Sequence, residues 1–183
     1  MQEQVILVDR DDREVGTEEK LRAHVQAKLH RAFSVFIIGQ DGAFMLQQRA
    51  RTKYHSGGLW SNTCCGHPRP GETTEQAARR RLREEMGFDC DLEPVAAVQY
   101  RLSLACGLVE HEYDHVFLGR YDGEPAPNPE EVEAWRWARP DSVLADCAAR
   151  PHVYTGWFGP ALDSLLARGL DCSQSISPGN ANA

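Results

Sequence analysis

The chain has 183 residues and a mass of 20.5 kDa, a length that suits one globular domain with at most a short appendage. Hydrophobic residues make up 42% and charged residues 26%, which excludes a disordered chain, and no run approaches the roughly 20 apolar residues of a membrane span. Lys and Arg total 20 against 27 Asp and Glu, a net charge of −7. That balance speaks against nucleic-acid and membrane-surface binding but leaves room for a local basic pocket around a small anion.

The opening MQEQVILVDRDD has neither a basic flank nor a long apolar stretch, so it does not read as a signal peptide. Gln4–Asp9 reads as a short strand closed by the polar turn Arg10–Arg13, and Glu18–Ala27 as a helical turn or a loop. Phe33–Ile38 and Ala43–Gln48 flank Gly39-Gln40-Asp41-Gly42, the strongest hairpin signal in the chain. Residues Arg49–Pro70 carry little apolar periodicity and several Gly and Pro, which predicts a long loop. A loop of about twenty residues inside a compact domain is usually functional.

The spacing predicts a helix over Thr73–Met86. Thr73 and Gln76 have capping-box spacing, Ala78, Leu82 and Met86 form one stripe, and Gly87 stands where a C-cap belongs. Strands are expected at Pro94–Leu102, Leu108–Tyr121 and Val132–Ala138, the last with Trp135 and Trp137 at period two. Helices are expected at Pro140–Ala149 and Gly159–Leu170, with Leu162, Leu165, Leu166 and Leu170 on one face of the second. Residues 1–170 thus read as a single domain, and 171–183, polar and small, as a disordered tail.

Six cysteines stand at 64, 65, 90, 106, 147 and 172, none in a C-x-x-C pair. Reduced thiols in a cytoplasmic protein are the expectation. A bridge between Cys64 and Cys65 is disfavoured by disulfide geometry.

Gly66, Glu72, Arg80, Leu82, Glu84, Glu85, Gly87 and Phe88 fall in one fixed register. The segment resembles the Nudix box: Gly, five residues, Glu, seven residues, then Arg-Glu-aliphatic-x-Glu-Glu-x-Gly-aliphatic. The resemblance implies an α/β (α+β) Nudix-type fold, a mixed β-sheet sandwiched between helices. It also implies helix carboxylates that hold Mg²⁺ against a diphosphate, as suits a hard cation. One position departs: Arg81 replaces the glutamate that Nudix hydrolases use for metal binding, which puts hydrolysis in doubt. Arg81 and Glu85, four apart, share a helix face.

Trp60-Ser-Asn-Thr-Cys-Cys-Gly-His-Pro68 precedes the box, and Glu110-His-Glu112 lies on an expected strand. With Leu29-His-Arg-Ala-Phe-Ser34 and Glu18-Glu-Lys20 ahead of His24, the combination closely resembles the type 1 isopentenyl-diphosphate isomerase family over residues 4–165. That family implies isomerisation of isopentenyl diphosphate to dimethylallyl diphosphate in isoprenoid biosynthesis, by protonation and deprotonation of carbon through a carbocation. The competing reading is a Nudix hydrolase of a nucleoside diphosphate derivative.

Carried over residue by residue, the resemblance implies a site for Mn²⁺ or Zn²⁺ made by His24, His30, His67, Glu110 and Glu112. Independently, residues two apart on a strand share a face, as Glu110 and Glu112 do. Imidazole with carboxylate suits transition metals better than Ca²⁺. His111 and His115, on the alternate face, are not expected to be ligands. The resemblance makes Cys65 and Glu112 the proton-transfer groups, with Tyr100 assisting. The loop setting of Cys65 beside metal ligands suggests a thiol whose pKa is lowered by positive charge, whereas Cys64 reads as a small buried hydrophobe.

Mg²⁺ would be held by Glu85 and the Cys65 backbone carbonyl. Lys20, Arg49, Lys53 and Arg81 match phosphate-binding positions, while Arg51 reads as exposed. Trp157 matches a cation-stabilising aromatic and reads equally well as core packing. The partner expected is a small-molecule diphosphate, with the chain a monomer or weak homodimer.

Overall fold

The structure, a computed structural model, describes residues 3–104 and 107–168; the expected tail 171–183, Leu170, Cys106 and Cys172 lie outside them. Strand β1, Gln4–Val8, runs antiparallel to β2, Glu14–Glu19. Asp9 Oδ1 accepts from the backbone N–H groups of Asp11 and Arg13 and forms the turn between them. The sequence of β2, EVGTEE, has Val15 as its one large apolar residue, and no alternation is visible because the strand sits on the sheet edge with little to bury. The expected helical turn follows as α1, Lys20–Val25, whose first N–H groups bind the Glu19 carboxylate.

The fold turns on β3, His30–Ile38, buried along nearly its whole length. It starts the expected hairpin with β4, Phe44–Arg49, but only Ile37↔Met45 and Ile38↔Phe44 pair. Beyond them Thr63 sits between the strands: its Oγ1 donates to the Met45 carbonyl and accepts from the Ile37 N–H. The supposed loop Arg49–Pro70 therefore contains two short strands. Trp60–Ser61 (β5) pairs with β4, and Cys64–Gly66 (β6) pairs with β3. Isolated dipeptides and tripeptides carry too few residues to display a strand period.

Helix α2, Thr74–Met86, is capped as expected: Thr73 and Gln76 form a capping box, and Gly87 closes it at φ +76°. The box is worth about 1 kcal/mol. Strands β7 (Leu92–Ser103) and β8 (Val109–Arg120) pair antiparallel, and β8 runs parallel to β3 from His30↔Glu112 to Ile38↔Arg120. Strand β9, Val132–Ala138, pairs with β4; helices α3, Pro140–Ala149, and α4, Phe158–Leu166, are the last two α-helices among the described residues. The sheet is therefore mixed.

Alternation on β3 divides the core. Phe33, Val35 and Ile37 face α2 through Ala78, Leu82 and Met86. Phe36 and Ile38 face α4 through Phe158, Leu162 and Leu165. Leu82 is fully buried, so its truncation to alanine costs about 2–5 kcal/mol. His30 and Ser34 share the α4-side parity, and their cross-strand partners, Glu112 and Cys65, are drawn onto one face with them.

Candidate active site

One cavity of about 300 Å³ opens at the end of β3. Cys65, His67, Arg81, Glu85, Tyr100, Glu110, Glu112, Lys20, Arg49, Lys53 and Trp157 all reach its wall. His24 and His30 lie beneath it, fully buried. The long segment expected to be functional supplies much of this wall, and buried hydrogen bonds fix its path. Asn62 Nδ2 donates to the carbonyls of Val35 and Cys64, and Ser61 Oγ meets Thr155 Oγ1 at 2.9 Å. Alternation on β6 then sends Cys64 into the α2-side core and Cys65 to the cavity.

The five expected ligands come together. One donor atom from each of His24, His30, His67, Glu110 and Glu112 lies within 4.8 Å of the other four. His24 Nδ1 donates to the Lys20 carbonyl at 2.7 Å and His30 Nδ1 to that of Lys28 at 2.9 Å. Those bonds leave both Nε2 lone pairs aimed at the centre, the outer arrangement that metal-binding imidazoles use. Inside the cluster, His30 Nε2 and His67 Nε2 stand 3.2 Å apart and His67 Nε2 is 2.8 Å from Glu112 Oε1.

His24 Nε2 lies 3.0 Å from Glu110 Oε2, yet neither atom makes a hydrogen bond. Buried polar atoms without partners are costly, and a divalent cation among these five donors satisfies them together. Burial and the neighbouring His30 hold His67 well below the ordinary imidazole range, which keeps it a neutral donor. The donor set fits a transition metal. His111 and His115 turn away, to the Ala27 carbonyl and to Asp12, as expected.

Tyr100 and Glu112 are direct partners across β7 and β8, and the phenol donates to Glu112 Oε2. Burial works to raise the Glu112 pKa, but hydrogen bonds and charge from His30 outweigh it and hold the carboxyl down at about 2. The protein's own side chains do not lower the Cys65 thiol as expected. Burial pushes Cys65 up to about 12, with Arg49 opposing and Glu85 and Glu112 adding to the rise. Enclosure outweighs a single cation.

Lys20, Arg49, Lys53 and Arg81 converge on the cavity as expected. Arg81 and Glu85 share the helix face as expected: Arg81 Nη2 lies 2.6 Å from Glu85 Oε1, and its Nη1 2.7 Å from Glu84 Oε2. Glu85 is buried and also accepts from Gln47 Nε2 at 2.8 Å. Arg49 lies over the Trp157 ring, 5.2 Å from its centroid. Trp157 fits both readings: it is 4% exposed, donates Nε1–H to Ser61 Oγ, and still lines the cavity. Arg51 pairs with Glu133 on the exterior.

Three cavity residues, and Asp114 buried behind the wall at Ser34, escape sequence reasoning. His55 is buried beside Glu110 Oε1 at 3.5 Å and edge-on to Trp157; no spacing marks it out in its loop. Asp114 continues the row of Glu110 and Glu112, and that two-residue step was a usable signal. It is fully buried and accepts from Ser34 Oγ at 2.8 Å; burial and Glu112 push its pKa up to about 8. Glu3 and Glu131 pair with cavity cations across long sequence separations.

The NUDIX domain family matches residues 28–156. A curated relative from Aromatoleum aromaticum, "Isopentenyl-diphosphate Delta-isomerase 1", is 52% identical over 167 residues, covering 91% of this chain and 94% of that one. The "Isopentenyl-diphosphate Delta-isomerase" of Burkholderia multivorans is 55% identical over 158 residues, 86% of this chain and 90% of its own length. Among solved structures, a Deinococcus radiodurans protein superposes with a TM-score of 0.75 at 23% identity, over 88% of this chain and 98% of that one. The MutT protein from Methanosarcina mazei does so with a TM-score of 0.65 at 16% identity, over 78% and 96%. At those identities the two structures speak for the fold alone.

Proposed function

Since the chain belongs to the isopentenyl-diphosphate isomerases, enzymes with a Nudix domain, we propose that its cavity performs the isomerisation with Cys65 and Glu112 as the proton-transfer groups. The enzyme converts isopentenyl diphosphate to dimethylallyl diphosphate. A proton adds to the terminal methylene carbon, the positive charge develops at the tertiary carbon, and a proton leaves the carbon on its other side, so that the double bond moves one position. The reaction is reversible, so each of the two groups acts as acid in one direction and base in the other. An alkene is a poor base, and the cation must be sheltered from water.

The observation that carries this reading is the opening of Cys65, Tyr100 and Glu112 into one cavity beside the clustered donors. Tyr100 is hydrogen-bonded to Glu112 and positioned to steady that carboxyl as its proton comes and goes. The Trp157 ring face supports a positive charge, an interaction worth about 2 kcal/mol when desolvated. Lys20, Arg49, Lys53 and Arg81 hold the diphosphate.

His24, His30, His67, Glu110 and Glu112 would hold Mn²⁺ or Zn²⁺, while Glu85 and the Cys65 carbonyl would hold Mg²⁺ with the diphosphate. A divalent ion beside Glu112 offsets its charge and so tunes how readily that carboxyl exchanges a proton. Residues 1–170 act as one catalytic domain. The free thiols Cys64, Cys65, Cys90 and Cys147 suit a reducing cytoplasm; among the described residues no helix is long and apolar enough to cross a membrane.

The test is incubation of the purified protein with Mg²⁺ and isopentenyl diphosphate in D₂O, followed by NMR. Dimethylallyl diphosphate carrying deuterium is the expected product. Phosphate release without isomerisation would mean a hydrolase.

A further inference from the structure

The cavity's cations are largely occupied by the protein's own acids. Lys20 Nζ pairs with Glu3 at 3.1 Å. Lys53 and Arg81 share a single carboxylate oxygen, Glu131 Oε2, which lies 3.0 Å from Arg81 Nη2 and accepts from Lys53 Nζ. Arg49 has no acidic ion-pair partner among the described residues. Glu131 belongs to neither metal site described above, although it lines the same cavity.

Its placement is built into the backbone. The Glu131 carbonyl accepts from Ala50 N–H at 2.9 Å, and the Ala50 carbonyl accepts from Lys53 N–H at 3.1 Å. Glu131 N–H donates to the Asn128 carbonyl, and Asn128 N–H donates to the Glu85 carbonyl, both at 2.9 Å. One turn is thus fastened both to the loop that carries Lys53 and to the helix that carries Arg81 and Glu85. Pairs of free surface side chains contribute little. Here all three side chains are only 20–22% exposed, and the carboxylate is held between two cations.

Building on the assignment of Lys53 and Arg81 to the diphosphate, we propose that Glu131 is a specificity-determining residue, a fixed counter-ion that makes the site select a diphosphate already chelated by a divalent cation over the bare diphosphate. An arriving diphosphate takes over the hydrogen bonds of Lys53 and Arg81. The Glu131 carboxylate is then left beside phosphate oxygens of its own sign. The repulsion grows with the charge of the ligand, and a divalent cation coordinated to the phosphate oxygens cancels much of that charge. The bare anion is therefore penalised more.

The test is calorimetric titration of the full chain with inorganic pyrophosphate, in Mg²⁺-free buffer and in excess Mg²⁺, for the unaltered protein and Glu131→Gln. Metal analysis keeps the occupancy of the His/Glu cluster equal in all samples. Glu131→Gln should bind the bare anion about tenfold more tightly while affinity for the Mg²⁺ complex moves by less than about threefold. Glu133→Gln, which unpairs Arg51 on the exterior, should alter neither. Equal responses of the two ligands to Glu131→Gln, whether tighter, weaker or unchanged, overturn this inference alone. An unaltered protein that binds neither form overturns the assignment of the phosphate-binding residues, and this inference with it.

Discussion

Tyr100 and Glu112 stand directly opposite each other on β7 and β8, and the phenol donates its hydrogen bond to the carboxylate that His30 and His67 also approach. This links the carboxyl proposed for proton transfer to a buried group that cannot itself ionise easily, because burial and Glu112 drive the Tyr100 pKa well up. Tyr100→Phe keeps the ring and removes only the donor. A hydrogen bond to a charged group is worth about 1.5–3 kcal/mol, so kcat should fall by about ten- to a hundredfold with KM and metal content unchanged. An unchanged kcat would show that the phenol only packs.

The neighbouring cysteines separate chemistry from packing. Cys65→Ala should abolish turnover and leave diphosphate binding intact, since the thiol lines the cavity but is not one of the cations assigned to the diphosphate. Cys64→Ala removes a fully buried side chain from the α2-side core, with an expected cost of about 1 kcal/mol in unfolding and little change in kcat. A dead Cys64→Ala beside an active Cys65→Ala would mean that the catalytic thiol faces the other side of β6.

Metal occupancy should be visible as stability. An ion that binds the folded cluster at a hundred times its Kd adds about 2.7 kcal/mol. Adding Mn²⁺ or Zn²⁺ to chelator-treated protein should raise Tm, and His30→Ala should largely lose the response, because His30 is fully buried and supplies one of the five clustered donors. An equal rise in both proteins would put the ion elsewhere.

Acid should weaken the pair that braces the start of α2. Arg80 grips Glu72 with two bonds, Nε to Oε1 and Nη2 to Oε2, each 2.8 Å, and these bonds hold Glu72 below the ordinary carboxylate value despite burial. Because the folded carboxyl binds its proton less tightly than the unfolded one, the pair stabilises fully above the unfolded value of about 4.3. The contribution is lost as pH falls through the lower folded value. Arg80→Met should therefore cost about 1 kcal/mol at pH 7, and its deficit in urea unfolding should shrink as the pH is lowered below about 4.

Much of the site was legible in the chain itself. Helix α2 announces itself through Thr73, Gln76, Gly87 and the Ala78–Leu82–Met86 stripe, because caps and periodic burial are local properties. The five clustered donors and Cys65 follow from the resemblance of their motifs to a known family, and the shared face of Glu110 and Glu112 from the period of a strand. What the chain could not display was any feature whose partner lies far along it. Strands β5 and β6 exist because Thr63 holds apart a hairpin that begins at Gly39. Trp157 joins Ser61 across 96 positions, and Glu131 joins Lys53 across 78. Residue types and local spacing determined which chemistry the chain carries. Only the closing of the sheet around β3 decided that burial would raise the thiol's pKa and that three of the four cavity cations would already be paired, because desolvation and Coulomb energy depend on distances in space and not on distance along the chain.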